Sequence, residues 1–121
     1  MGERAAVYIV EDDEPVRDSL VALLEAEGFA VASYASSEQF LKHFHPAGNA
    51  CLMLDLGLPG RSGIELMQIL GARRHRLPVI VITGTADGSL HSRARELGAA
   101  AVLVKPTDPE ELIASVHRVL H

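Results

Sequence analysis

Apolar positions along this chain alternate between two periods. Short β-rich runs, Val7–Val10, Ala30–Tyr34, Cys51–Leu54, Val79–Ile82 and Ala101–Val104, are each followed by a longer stretch whose apolar residues recur at helical spacing. The first such stretch, about Pro15 to Glu27, carries Val16, Leu20, Leu23 and Leu24. Pro15 suits a first helical turn and Gly28 supplies the stop. The second opens at Ser36 with Gln39 three residues on, a capping box, places Phe40, Leu41 and Phe44 on its apolar side, and ends at Pro46 and Gly48. The third, about Ser62 to Leu70, offers Ile64, Leu66, Met67 and Leu70. The fourth, about Ser89 to Leu97, has little apolar periodicity and is expected to be the least firmly packed and most mobile helix. The fifth is the clearest, with Asp108 as N-cap, Pro109 at the first position, Glu111 completing a capping box, and Leu112, Ile113, Val116 and Leu120 as its buried stripe. Five βα repeats of this kind predict an α/β domain, a doubly wound parallel sheet covered by helices on both faces.

The chemistry-bearing residues fall at the ends of the predicted strands, where open α/β sheets collect ligands. Val7–Val10 runs into Glu11, Asp12 and Asp13. The third strand ends at Asp55, ahead of a Pro59-Gly60 turn. The fourth runs into Thr83 and Gly84, and the fifth delivers Lys105. Carboxylates at Glu11, Asp12 and Asp55 would repel one another by ~4 kcal/mol per close pair at an effective dielectric of about 20, so a cation belongs among them. A hard divalent ion held by carboxylates, a backbone carbonyl and phosphate oxygens fits Mg²⁺. Lys105 can pair with Asp55 at rest and with a phosphoryl oxygen afterwards, the Thr83 hydroxyl can donate to another oxygen, and Gly57 and Gly84 leave room for the group to approach. An aspartate so placed can act as a nucleophile toward phosphorus and form an acyl phosphate.

Composition narrows the setting. The 121 residues fit one domain, 1–121, and the 48% hydrophobic content has no run near a membrane span, so a soluble, cytoplasmic protein is expected. The first residues lack the apolar core of a signal peptide. A net charge of -5 argues against a nucleic-acid surface; the Arg73-Arg74-His75-Arg76 cluster reads as a solvated helix end. Cys51 is the single cysteine and reads as a buried structural thiol. His43 and His45, two apart at a helix end, point away from each other and read as surface residues, and Asp13 and Glu14 as charges at a helix entrance.

In Val10-Glu-Asp-Asp-Glu-Pro-Val-Arg17, Asp55-Leu-Gly-Leu-Pro-Gly-Arg-Ser-Gly-Ile-Glu-Leu66, Val81-Ile-Thr-Gly84 and Lys105-Pro106, the chain resembles the response-regulator receiver domains of bacterial two-component signalling, most of all the FixJ type, over essentially its whole length. The resemblance implies a CheY-like, flavodoxin-like (βα)5 fold with strand order 2-1-3-4-5. It implies Asp55 as phosphoacceptor, Thr83 as switch hydroxyl and Lys105 as phosphate clamp. Mg²⁺ would be held by the acidic pair Glu11 and Asp12, with Asp12 the direct ligand, by Asp55 and by the Gly57 carbonyl. It further implies a cis Lys105–Pro106 bond, a cognate histidine kinase as partner, phosphorylation-favoured homodimerisation through residues of about Ser89 to Val104, around the fourth helix and fifth strand, and DNA binding only through an output domain outside this chain. Two positions depart from the family pattern. Val102 stands where an aromatic residue usually turns inward on activation, and Thr107 where a phenylalanine commonly anchors the last helix. Two other classes fit the residues less well: a phosphatase of the haloacid-dehalogenase type needs a second aspartate where Gly57 stands, and an inert pseudo-receiver sits poorly with intact Asp12, Asp55, Thr83 and Lys105. The expected activity is therefore autocatalytic phosphoryl acceptance and self-dephosphorylation, with no turnover of an external substrate.

Overall fold

The computed structural model describes residues 4–45, 48–57, 62–73, 76–84 and 88–120. Ten elements alternate strictly: β1 (Ala6–Val10), α1 (Glu14–Ala26), β2 (Ala30–Tyr34), α2 (Ser37–His43), β3 (Ala50–Asp55), α3 (Gly63–Ala72), β4 (Val79–Thr83), α4 (Gly88–Glu96), β5 (Ala101–Val104) and α5 (Pro109–Val119). The five strands form one parallel sheet in the order β2-β1-β3-β4-β5, as the family resemblance implied. The expected Pro46 stop, the Pro59-Gly60 turn, Arg74 and His75, and positions 85–87 of the stretch after Thr83 lie outside the described residues.

Strand periodicity divides the core in two. Leu52 and Leu54 of β3 with Val79 and Val81 of β4 face one side, with Phe40, Leu66, Met67, Leu70 and Ala94 from α2, α3 and α4. Cys51, Met53, Ile80 and Ile82 face the other, with Leu24 of α1 and Leu112 and Val116 of α5. The central strands are thus apolar on both faces, which is why they read as continuous hydrophobic runs. The Cys51 thiol is fully enclosed, and burial pushes its pKa up to about 12, as fits a structural cysteine.

Helix starts show where side-chain oxygens outbid simpler signals. α1 begins at Glu14, with Asp13 as N-cap accepting from the Val16 N–H at 3.2 Å, so Asp13 has a structural task beyond its charge. Ser36 caps α2 and accepts from the Gln39 N–H at 3.1 Å, while the Gln39 Oε1 reaches one residue past the expected partner, to the Ala35 N–H at 3.0 Å. Ser62 caps α3 through the Glu65 N–H, and Asp108 caps α5 through the Glu110 N–H. α5 buries Leu112, Ser115 and Val116, whereas Ile113 and Leu120 are only half-buried. α4 has Ala94 as its one fully buried residue, in keeping with its weak pattern.

Candidate phosphoryl-acceptor site

Three strand ends converge at the carboxyl edge of the sheet. β3 ends on Asp55 beside β1, whose extension carries Glu11 and Asp12. One oxygen from each of these three carboxylates lies within 4.8 Å of the others. β4 ends on Thr83, 1% exposed, and the Thr83 carbonyl accepts from the Lys105 N–H at 2.8 Å, which fixes the start of the lysine at the same edge. The Lys105–Pro106 bond is cis, as expected. Asp55, Leu56, Gly57, Thr83, Gly84, Leu90 and Lys105 line a pocket of about 330 Å³.

The ammonium of Lys105 lies 2.5 Å from Glu11 Oε1 and 3.3 Å from Asp55 Oδ2. The sequence suggested Asp55 as its resting partner; the lysine instead bridges both carboxylates and approaches Glu11 more closely. Asp55 Oδ1 accepts from the Gly57 N–H at 3.0 Å, so the two oxygens of the aspartate are held by different donors. Burial works to raise the Asp55 pKa, but hydrogen bonds with the Glu11 side chain, the Gly57 N–H and the Lys105 ammonium outweigh it and hold the carboxyl below its usual range. Glu11 goes the other way. Its burial, reinforced by Asp55, pushes its pKa up to about 7 against the pull of Lys105. Burial also works against the charge on Lys105, and its carboxylate partners more than compensate, leaving its pKa raised.

Glu11 Oε2 is buried with no hydrogen-bond partner, although the rest of the residue is tied down: its backbone N–H donates to the Tyr34 carbonyl at 3.1 Å and its carbonyl accepts from Arg17 Nη1 at 2.9 Å. A buried, unsatisfied carboxylate oxygen is expensive unless something positive joins it. With all three acids ionised, three negative charges face one ammonium, and the excess of two is what a divalent cation neutralises. The donors are all hard oxygens, the set that Mg²⁺ accepts. The residues present therefore fit this ion.

Sequence reasoning did not single out Arg17, Gly63 or Leu90. Arg17 and Gly63 stand within the motifs already quoted, but which atoms they meet is visible only in three dimensions. A Cβ at Gly63 would lie 2.7 Å from the Asp55 carbonyl oxygen. His43 and His45 are exposed and join no acidic cluster among the described residues. Two other hollows, 470 Å³ between α1 and the start of α5 and 360 Å³ at the base of α3 and α4, bring no carboxylates together. No helix among the described residues is long and apolar enough to cross a membrane.

Comparison with known proteins agrees with this geometry. The response regulator receiver domain family matches residues 7–117. The transcriptional regulatory protein FixJ of Azorhizobium caulinodans is 42% identical over 120 residues, covering 99% of this chain and 57% of its own length. FixJ of Rhizobium meliloti is 39% identical over 112 residues, covering 93% of this chain and 55% of its own. The chain thus spans a little over half the length of these relatives. Among solved structures, the FixJ-N crystal structure superposes with a TM-score of 0.89 at 37% identity, covering 98% of this chain and 94% of that one. The response regulator StyR gives 0.91 at 36% identity, covering 98% and 60%. With its fold, strand order and sequence in agreement, the chain belongs to the response regulator receiver domain family.

Proposed function

We propose that this domain accepts a phosphoryl group from a histidine kinase on Asp55, with Mg²⁺, and that the modified site alters the surface around α4 and β5 to control an output domain or a partner. The observation that carries this reading is the convergence of Glu11, Asp12 and Asp55 with Lys105 and the buried Thr83 around an unpartnered carboxylate oxygen. Asp12, Asp55, the Gly57 carbonyl and Glu11 would hold the ion, which supplies positive charge to offset that of the carboxylates and the incoming phosphoryl group.

The chain's own part begins with an ionised Asp55. Its lowered pKa keeps the carboxylate available as nucleophile. A carboxylate oxygen forms a bond to phosphorus, the bond between phosphorus and the kinase imidazole nitrogen breaks, and the imidazole keeps the electron pair. Asp55 loses its negative charge as an acyl phosphate, so Lys105, already within 3.3 Å, can transfer a hydrogen bond to a phosphoryl oxygen. The Thr83 hydroxyl at the end of β4 can donate to another. Later, water attacks phosphorus, the bond to Asp55 breaks, and carboxylate and inorganic phosphate are released. The domain thereby turns over only its own phosphoryl group.

The FixJ relatives are transcriptional regulatory proteins, and an output domain outside this chain would carry any DNA binding here. Leu90 and Val104, large hydrophobic side chains exposed at 37% and 47%, support phosphorylation-favoured self-association through α4 and β5. The test of the central reading is intact mass after incubation with acetyl phosphate, with and without Mg²⁺, for the native chain and Asp55→Asn. A phosphoryl adduct that needs both Mg²⁺ and Asp55 is expected. A folded native chain that takes up no phosphoryl group would instead be an inert interaction module.

A further inference from the structure

Leu90 is the one large exposed hydrophobic side chain among the described residues that lines the Asp55 pocket, and its place there is unexplained by packing. Among the described residues the pocket's polar side is made by Asp55, Thr83 and Lys105, which supply the carboxylate, hydroxyl and ammonium. Leu56 is buried in its floor at 5% exposure, and Gly57 and Gly84 contribute no side chain. A Cβ at Gly84 would find nothing nearer than the Lys105 Cδ at 4.0 Å, so that wall is open. The pocket, 330 Å³ and open to solvent on one side, has ample room for several waters. A phosphoryl group on Asp55 would leave water in the same pocket, and among the described residues Leu90 is the one exposed apolar side chain lining it that can restrict that water.

We propose that Leu90 sets the lifetime of the acyl phosphate by acting as an apolar shutter over Asp55; this rests on the phosphorylation of Asp55 proposed above. The step it governs is hydrolysis. A water oxygen bonds to phosphorus, the bond between phosphorus and the Asp55 oxygen breaks, the carboxylate keeps the electron pair, and the water protons leave with dihydrogen phosphate. An apolar side chain beside the attack path removes hydrogen-bonded positions from which water can approach, and so slows the step without touching the reacting atoms. Because α4 is anchored by Ala94 alone among fully buried residues, a partner that repositions α4 also repositions this shutter and changes how long the signal lasts.

The experiment compares decay of the acyl phosphate in the native chain, Leu90→Ala, Leu90→Gln and Leu90→Met. Each is loaded with acetyl phosphate and Mg²⁺, freed of donor by rapid desalting, and followed by intact mass and by release of inorganic phosphate. Circular dichroism of the unmodified proteins controls for folding, which an exposed position should leave intact. Leu90→Ala is expected to shorten the lifetime roughly tenfold. Leu90→Gln, similar in size but polar, should also decay fast, and Leu90→Met should stay near native. Equal lifetimes in all four overturn the proposal, as does a long-lived Gln variant, which would make bulk rather than an apolar wall the cause. A native chain that forms no adduct removes the phosphorylation reading and this inference together, whereas a native adduct with lifetimes indifferent to residue 90 removes this inference alone.

Discussion

Gly63→Ala should destabilise the domain although alanine is the better helix former. Gly63 is the first residue of α3, and its Cα faces the end of β3 so closely that an added Cβ would lie 2.7 Å from the Asp55 carbonyl oxygen, 2.9 Å from the Leu56 Cα and 3.1 Å from the Leu56 Cδ2. Carbon contacts relax to roughly 3.5–4.0 Å, and the two nearest atoms are backbone at the end of β3, so α3 or the strand end must shift by about half an ångström or more. Overpacking of this kind costs ~1–3 kcal/mol. Helix propensity and reduced freedom of the unfolded chain return at most about 1 kcal/mol. The net is a loss of about 1–2 kcal/mol, or roughly 3–10 °C in Tm for a domain of this size. Gly71, in the same helix, is the internal control, because a Cβ there meets nothing within 4 Å. Gly71→Ala should therefore stabilise by about 0.5–1 kcal/mol. Urea and thermal unfolding followed by far-ultraviolet circular dichroism measure both. Gly63→Ala should also slow phosphoryl uptake from acetyl phosphate, since the displaced atoms include the backbone of Asp55. A Gly63→Ala protein as stable as Gly71→Ala would refute the close-packing argument.

Three further outcomes follow from the site and its surroundings. In chelator, stability should fall as pH rises from about 4.5 to about 7, because folded Glu11 retains a proton that the unfolded chain has released; the drop is at most ~3 kcal/mol. Asp55 acts in a separate window, its contribution being lost as pH falls below the ordinary carboxyl value of 3.8, so chelated protein titrated by denaturant midpoint should show two distinct slopes; a flat profile across the upper window would contradict the burial of Glu11. Mg²⁺ at pH 8 should raise the native Tm, by ~1.4 kcal/mol of stability for each decade of concentration above Kd, and the rise should largely vanish in Asp12→Asn; an equal rise in both would exclude Asp12 as a ligand. Thr107→Phe should add about 1 kcal/mol by covering the 470 Å³ groove between Pro15, Val16, Leu20, Leu23 and Leu112, measured as a higher urea midpoint, and an unchanged midpoint would mean that a ring there stays in solvent.

The elements that the sequence predicted well are those whose pattern has one physical cause. β2 runs from Ala30 to Tyr34 as expected, and β3 and β4 are buried on both faces, so each is apolar up to the site residue on which it ends, Asp55 or Thr83. Helix starts moved by one residue where Asp13 and Ser62 turned out to be N-caps, because a cap is decided by the direction of one side-chain oxygen. The site's membership was legible because each member stands at a strand end, and parallel strands bring those ends to one edge. Its internal pairing was not. Lys105 and Glu11 are 94 positions apart, and their close approach depends on how far each side chain reaches over the sheet edge. The orphaned Glu11 oxygen, the most direct support for a cation site, is likewise a property of enclosure that no spacing reveals.

Val102 bears on how the proposed phosphoryl signal would leave this site. It stands where the family usually carries an aromatic ring, and here it packs half-buried against the core shared by α2, α3 and α4. A β-branched side chain has few χ1 choices and no length with which to alternate between core and solvent, so it cannot report the state of Thr83 by a swing. Charge-assisted bonds to the phosphoryl group, from Thr83 and, transferred from Asp55, from Lys105, are worth at most ~3–6 kcal/mol together. That is close to the ~5.5 kcal/mol needed to invert a 1:99 population. Such an energy must act on an element whose attachment is of the same order. α3 is anchored by Gly63, Leu66, Met67 and Leu70, and α5 by Leu112, Ser115 and Val116, whereas α4 has Ala94 alone fully buried. An alanine contributes little burial, so α4 is the element that this energy can displace. In this chain the proposed switch is therefore a shift of α4 itself, carried from Thr83 at the end of β4, and the exposed Leu90 and Val104 are the side chains whose surroundings it would change most.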